Sequence, residues 1–308
     1  MPEETGHAPD AATRCGFVAL IGAPNVGKST LVNALVGAKV TIVSNKVQTT
    51  RALIRGIVIE GDAQIILVDT PGIFAPRRRL DRAMVSAAWS GAHDADLRCV
   101  MIDARKGLDE EAEAIFGRIA ETPARRFLII NKIDTVARES LLGLAKTANE
   151  RCAFERTFMI SAMSGDGVAD LRAALAGAVP GGPFLYPADQ ISDAPERHLA
   201  AEVTREKIYQ RLHQELPYQS TVETTAWTER KDGSVRIEQT IFVERESQRK
   251  IVLGKGGATI KAIGADSRRE LTQILERPVH LFLFVKVRES WGEDPERYRE
   301  MGLEFPKR

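Results

Sequence analysis

The sequence predicts two domains in series: a doubly wound α/β domain, then a smaller α+β domain. Three observations carry this. From Cys15 to about Val179, short apolar runs alternate with helical stretches. The segment "VPGGPFLYPADQISDAP" then concentrates Pro180, Pro183, Pro187 and Pro195 with Gly181 and Gly182, which excludes regular structure. Beyond it the order becomes helix, strand, strand, helix, helix, strand. The chain of 308 residues is long enough for both domains. The expected boundaries are a flexible N-terminal tail over 1–14, the α/β domain over 15–179, a linker over 180–195, the α+β domain over 196–290 and a C-terminal tail over 291–308.

The first domain's strands are expected at "FVALIG", "RALIRGIVIE", "AQIILVD", "LRCVMID", "RFLIIN" and "TFMIS". Several are apolar at successive positions, as strands covered on both faces of a parallel sheet are. Gly61-Asp62 lies between the second and third runs and reads as a hairpin turn, so that pair is antiparallel. Helical patterns fill other gaps, as at Glu110–Ala120 and Val168–Ala178. In the second domain, 196–215 reads as a helix with Leu199, Val203, Ile208 and Leu212 near one face. "STVETTAWTER", the turn "KDG" and "SVRIEQTIFVER" form a hairpin. Two helical pieces broken by glycines follow, then the strand "PVHLFLFVKVRE".

Basic and acidic residues nearly cancel, 43 against 42, so whole-chain charge gives no reason for a polyanionic partner and any basic patch is local. The three cysteines, Cys15, Cys99 and Cys152, form no CxxC pair and no zinc spacing, which fits a reducing cytosol. "MPEETGHAPDAATR" lacks the apolar core of a signal peptide. No apolar run approaches the roughly 20 residues of a membrane span.

"GAPNVGKS" follows the first strand and opens a helix, the context a phosphate-binding loop requires. Its members are Gly22, Ala23, Pro24, Asn25, Val26, Gly27, Lys28 and Ser29. The glycines let backbone N–H groups wrap phosphates, Lys28 reaches the outer phosphates, and the Ser29 hydroxyl is a Mg²⁺ ligand. "DTPG" (Asp69, Thr70, Pro71, Gly72) ends the third strand. Asp69 is placed to hold Mg²⁺ through water and the Gly72 N–H to face the γ-phosphate. "NKID" ends the fifth strand with Asn131, Lys132 and Asp134. A carboxylate there accepts two hydrogen bonds from guanine, which favours GTP over ATP. "SAM" (Ser161, Ala162, Met163) ends the sixth strand, where the Ala162 N–H would meet guanine O6. "VQTTR" is a polar loop in the position of a switch, and Thr50 is the chosen second hydroxyl on Mg²⁺, with Thr49 the alternative.

This chain order resembles the translation-factor-like GTPases over the whole first domain. Ras-type members orient the attacking water with a glutamine just after DxxG. Here Ile73 stands in that place and cannot do so. "GAPNVGKSTLVNAL" with "TTR" resembles the cation-dependent group with Asn in the loop and a hydrophobic residue for the glutamine. The catalytic set is therefore Asn25, Lys28, Thr50 and Gly72. The Asn25 side-chain oxygen either helps coordinate a K⁺ that bridges the phosphates or braces the loop against the switch.

In the second domain, "VLGKGGATIKAI" carries Gly254, Lys255, Gly256 and Gly257 between two helical pieces. Such a GxxG loop lets a nucleic-acid backbone approach closely in KH domains. The surrounding element order matches the type II arrangement. Arg249, Lys250, Lys255 and Lys261 supply local attraction for phosphate, with Arg245 nearby and Glu246 opposed. A GTPase of this group followed by a type II KH domain resembles the Era family over about 15–300. That resemblance implies a slow GTPase using GTP and Mg²⁺ that binds 16S ribosomal RNA near its 3′ end and acts in 30S subunit assembly. It implies a cytoplasmic monomer with peripheral inner-membrane contact. Era proteins often carry His where Phe74 stands, so no catalytic role is assigned there.

Overall fold

The computed structural model describes residues 13–306, apart from 47, 214 and 290. The tail expected over 1–14 lies mostly outside these, but Arg14 already opens the first strand. The chain forms two compact units. The first comprises residues up to Ala38, Ile54–Phe74 and Ala88–Asp193. The second comprises Lys39–Leu53, Ala75–Ala87 and everything from Ala194 on.

The first unit runs β1 (Arg14–Gly22), α1 (Lys28–Val36), β2 (Ile54–Glu60) and β3 (Ala63–Asp69). Next come the later turns of α2 (Arg79–His93), β4 (Leu97–Asp103), α3 (Glu110–Ala120) and β5 (Arg126–Asn131). It ends with α4 (Arg138–Arg151), β6 (Arg156–Ile160) and α5 (Val168–Ala178). The sheet order is β2-β3-β1-β4-β5-β6. Only β2 is antiparallel, paired with β3 through the Gly61-Asp62 turn as the sequence implied. Every residue of β3 and β4 is buried, which explains their unbroken apolar runs. The linker has no regular element, yet it is pinned to this unit. Leu185 and Tyr186 donate backbone N–H bonds to Gln64 Oε1 (2.8 and 3.0 Å), and Arg55 pairs with Asp193 at 2.7 Å.

The second unit is built on α6 (Glu196–Arg211), β7 (Ser220–Glu229) and β8 (Val235–Val243). These are followed by α7 (Glu246–Leu253), α8 (Ala258–Ile274) and β9 (Val279–Val287). β8 pairs antiparallel with β7 and parallel with β9, and the α7–α8 crossover makes the parallel pair possible. Ile208, Ile241, Val243, Val252 and Ile263 form its core between helices and sheet. α6 ends four residues before the expected 215, where Leu212 turns extended.

The C-terminal segment, expected as a tail, is folded. It carries a short helix, α9 (Pro295–Glu300). Trp291, Tyr298 and Leu303 are buried against Leu80, Ala83 and Met84 of α2. Five large apolar residues spread among charges give no periodic signal, and their partners lie some 200 residues away in sequence.

Candidate nucleotide and RNA sites

The parallel strands of the first unit end on one edge of the sheet, where ligands bind in open α/β folds. β1 delivers the loop Gly22–Ser29, β3 the loop from Asp69 to Ile73, β5 the loop from Asn131 to Asp134, and β6 Ser161 to Met163. Gly27 caps the start of α1 with φ +105°. A Cβ there would lie 2.3 Å from Asn131 Nδ2, so the close approach needs glycine.

Lys28 is 6% exposed, and its ammonium donates to the Gly22 and Ala23 carbonyls at 2.9 and 3.0 Å. Burial lowers its pKa to about 8, against a smaller opposing pull from Asp69. A phosphate supplies the counter-charge that burial withholds. The Ser29 hydroxyl donates to Asp69 Oδ2 at 2.8 Å, and Asp69 is fully buried at the end of β3. A hydroxyl and a carboxylate oxygen in contact are a hard donor set that suits Mg²⁺.

The turn after Asp69 is fixed by packing. The Thr70 hydroxyl donates to the Leu20 carbonyl at 2.6 Å. A Cβ on Gly72 would meet Pro24 backbone and ring atoms at 2.9 Å. The Ile73 N–H donates to the Gly22 carbonyl at 3.1 Å and its side chain is 8% exposed. The Ile73 side chain is therefore a packing group, with no polar atom to offer a water.

Asn131 joins the phosphate side to the base side. Its Nδ2 donates to the Val26 carbonyl at 2.8 Å, and its Oδ1 accepts from the Ala162 N–H at 2.9 Å. The Ala162 N–H, assigned above to guanine O6, is thus spent on Asn131, and an O6 contact would share or replace that bond. Lys132 has φ +66° and donates to the Asn25 carbonyl (2.6 Å) and Asp103 Oδ2 (2.7 Å). Asp134, Met163 and Asn25 are exposed at the rim, and Ser161 is buried with its oxygen accepting from the Ser164 N–H.

Asp103 was missed by sequence reasoning. It ends β4, is 4% exposed and accepts from Lys132 and from the Arg105 N–H. Burial would raise its pKa, and Lys132 with the Arg105 N–H more than offset this, holding it below the ordinary carboxylate value. An Asp closing an otherwise apolar strand was the available signal. Thr50 is buried on the segment Lys39–Leu53, which belongs to the second unit, whereas Ser29 and Asp69 belong to the first.

In the second unit, the GxxG loop joins α7 to α8 through a single 3₁₀ turn, Lys255–Gly257. Gly254, Gly256 and Gly257 have φ of +72°, +61° and +77°. A Cβ on Gly254 would sit 2.2 Å from Thr259 Oγ1, whereas Gly256 faces open space. Lys250, Lys255 and Lys261 are exposed around the loop. Arg249 is less available than expected: it bonds Glu246 at 2.8 Å and the Val285 carbonyl at 3.3 Å. Ile251 stands 56% exposed beside Lys250, an apolar surface next to the basic one.

Comparison with known proteins follows the same division. A family model described as a 50S ribosome-binding GTPase matches residues 17–132, and a KH-domain model matches 215–292. The chain is 76% identical to GTPase Era of Afipia carboxidovorans, covering all of this chain and 98% of that one. It is 78% identical to GTPase Era of Bradyrhizobium diazoefficiens, covering 99% of each. A crystal structure of Era with MgGDPNP and nucleotides 1506–1542 of 16S ribosomal RNA superposes with TM-score 0.89 at 37% identity, over 94% of this chain and 99% of that one.

Proposed function

Because the chain belongs to the GTPase Era family, we propose that it is a slow, nucleotide-gated RNA-binding GTPase of 30S subunit assembly. Its KH unit takes 16S ribosomal RNA near the 3′ end, the ligand in the solved Era complex. The observation that carries the nucleotide half is the Asn131 amide, which ties the Val26 carbonyl to the Ala162 N–H. Phosphate loop and base loop thereby form one preorganised frame. In this reading Lys28 neutralises the outer phosphates, Ser29 and Thr50 coordinate Mg²⁺ with Asp69 behind a water, and the Gly72 N–H faces the γ-phosphate. Asp134 selects guanine. The GxxG loop with Lys250, Lys255 and Lys261 receives the RNA backbone.

The test is RNA affinity against nucleotide state. A gel shift with a 3′-end 16S fragment is expected to show tighter binding by the GTP-analogue form than by the GDP form. Equal affinities would remove the gating. No helix among the described residues is long and apolar enough to cross a membrane. The protein is proposed to act as a cytoplasmic monomer. Peripheral inner-membrane contact would use the same basic face, and co-sedimentation with anionic vesicles at physiological salt decides it.

K⁺ completes the proposed chemistry. Ile73 leaves the water unguided, so charge stabilisation must come from elsewhere. Asn25 has φ +63° and its side chain is exposed at the loop tip. A K⁺ held by that oxygen and the phosphates would neutralise developing charge. Turnover is expected to be about tenfold faster in K⁺ than in Na⁺ at equal ionic strength, a modest share of what such charge stabilisation supplies. Asn25→Gly removes the side chain without straining a positive φ. A variant that keeps the K⁺ preference makes Asn25 a brace.

A further inference from the structure

The outer face of a helix on a three-stranded sheet should be polar and wet. α6 departs from this: Val203, Thr204, Arg205, Glu206, Lys207, Ile208 and Tyr209 are buried in unbroken succession. Val203 and Ile208 face the core of the unit. The charged residues are covered by another part of the same unit, the segment Lys39–Leu53 that carries Thr49 and Thr50.

That segment has no helix or strand among its described residues. Its backbone is held by α6 instead. Arg205 Nη2 donates to the Thr49 carbonyl, and the Tyr209 hydroxyl donates to the Gln48 carbonyl at 3.2 Å. Glu206 Oε1 accepts the Val43 N–H at 2.8 Å. In return, Lys46 Nζ donates to the Tyr209 and Leu212 carbonyls that end the helix. Arg51, 3% exposed, donates to the Tyr209 hydroxyl at 3.1 Å and to the Ser220 carbonyl at 2.9 Å.

An ion cluster extends the contact to α8, the helix that follows the RNA loop. Lys39 opens the segment and pairs with Glu206 of α6 at 2.7 Å and with Glu270 of α8. Lys207 pairs with the same two carboxylates. Burial would raise the Glu270 pKa, and Lys207 and Lys39 more than offset it, so the carboxylate stays charged. α8 is the helix that Gly257 of the loop caps at its start. The linker, by contrast, is tied to strands of the first unit.

We propose that α6 is the positioning element of the switch segment, with Tyr209 and Arg205 as positioning residues for Thr49 and Thr50, and with Lys39–Glu270 as its link to the RNA-binding helix. This rests on reading Thr50 as the switch ligand and the GxxG loop as the RNA site. A loop without secondary structure loses conformational entropy when ordered. Contacts that order it beforehand favour the GTP state, in which the γ-phosphate and Mg²⁺ engage the switch. GDP, without a γ-phosphate, gains nothing from them. The positioning is therefore visible only as a difference between the two nucleotides.

The experiment uses the full chain with Tyr209→Phe and, separately, Lys39→Met. Tyr209→Phe keeps the ring and removes one donor and one acceptor, and Lys39 lies at the surface side of the cluster. Single-turnover hydrolysis and affinity for a GTP analogue are expected to fall about threefold to tenfold, the loss of one or two hydrogen bonds. GDP affinity stays within twofold, which a general loss of folding would not allow. Lys39→Met is also expected to blunt any change in hydrolysis that 16S RNA produces in the wild type. Unchanged analogue affinity and rate in both variants, a faster rate in either, or equal losses for GDP would each overturn the proposal. An RNA effect absent from the wild type strikes at RNA gating instead, and the nucleotide comparison still decides the role of α6.

Discussion

Gly27→Ala is expected to lower GTP and GDP affinity together by about two orders of magnitude. At φ +105° a side chain is strained whatever the space, a cost of roughly 1–3 kcal/mol. The added Cβ would also lie 2.3 Å from Asn131 Nδ2. Asn131 cannot yield cheaply, since its amide is pinned on one side by the Val26 carbonyl and on the other by the Ala162 N–H. Displacing it forfeits two hydrogen bonds worth about 1 kcal/mol each. The phosphate loop and base loop then lose their common brace. Gly37→Ala provides the comparison, at φ +80° with nothing within 4 Å of the new carbon. It pays strain alone and should reduce stability while leaving affinity intact. Titration with a fluorescent nucleotide, with circular dichroism to confirm folding, makes the measurement. A folded Gly27→Ala protein that binds within threefold of wild type would deny the loop its role.

Gly256→Asp should abolish most RNA binding, by about one to two orders of magnitude, and leave GTP affinity unchanged. The site has open space and φ +61°, a conformation Asp and Asn tolerate better than other residues. The fold should therefore survive, and the loss comes from a carboxylate where a phosphate must approach. Charged hydrogen bonds of the kind displaced are worth roughly 1.5–3 kcal/mol. Gly256→Asn has the same shape without the charge and should lose less. Gly254→Ala differs in kind, since its Cβ would collide with Thr259 at 2.2 Å and disturb the loop itself. Normal binding of a 16S fragment by Gly256→Asp at physiological salt would move the RNA site elsewhere on the unit.

The sequence by itself determined the alternation of strands and helices and the strand ends that carry the four motif loops, but it read the units as contiguous, whereas Lys39–Leu53 and Ala75–Ala87 join the second unit. The alternation and the strand ends depend on local chemistry: apolar runs that must be covered, glycines that alone fit tight loops, and a strand end followed by a helix start. It also placed the GxxG turn, because three glycines between helical pieces leave the backbone few alternatives. Only the tertiary structure decided how those loops are braced. Asp103 and the double use of the Asn131 amide depend on neighbours from other strands, which no local pattern records. Arg249 read as one of the basic residues around the loop, and the structure shows it paired with Glu246 and the β9 backbone. The last residues read as a tail because their apolar side chains are scattered, and α2 supplies the surface that buries them. The switch segment has no periodicity at all, and its order comes from α6, a helix more than 140 residues later in the chain. Hydrogen bonds and ion pairs of that range carry no trace in sequence spacing, since loop closure brings their partners together only in the folded unit.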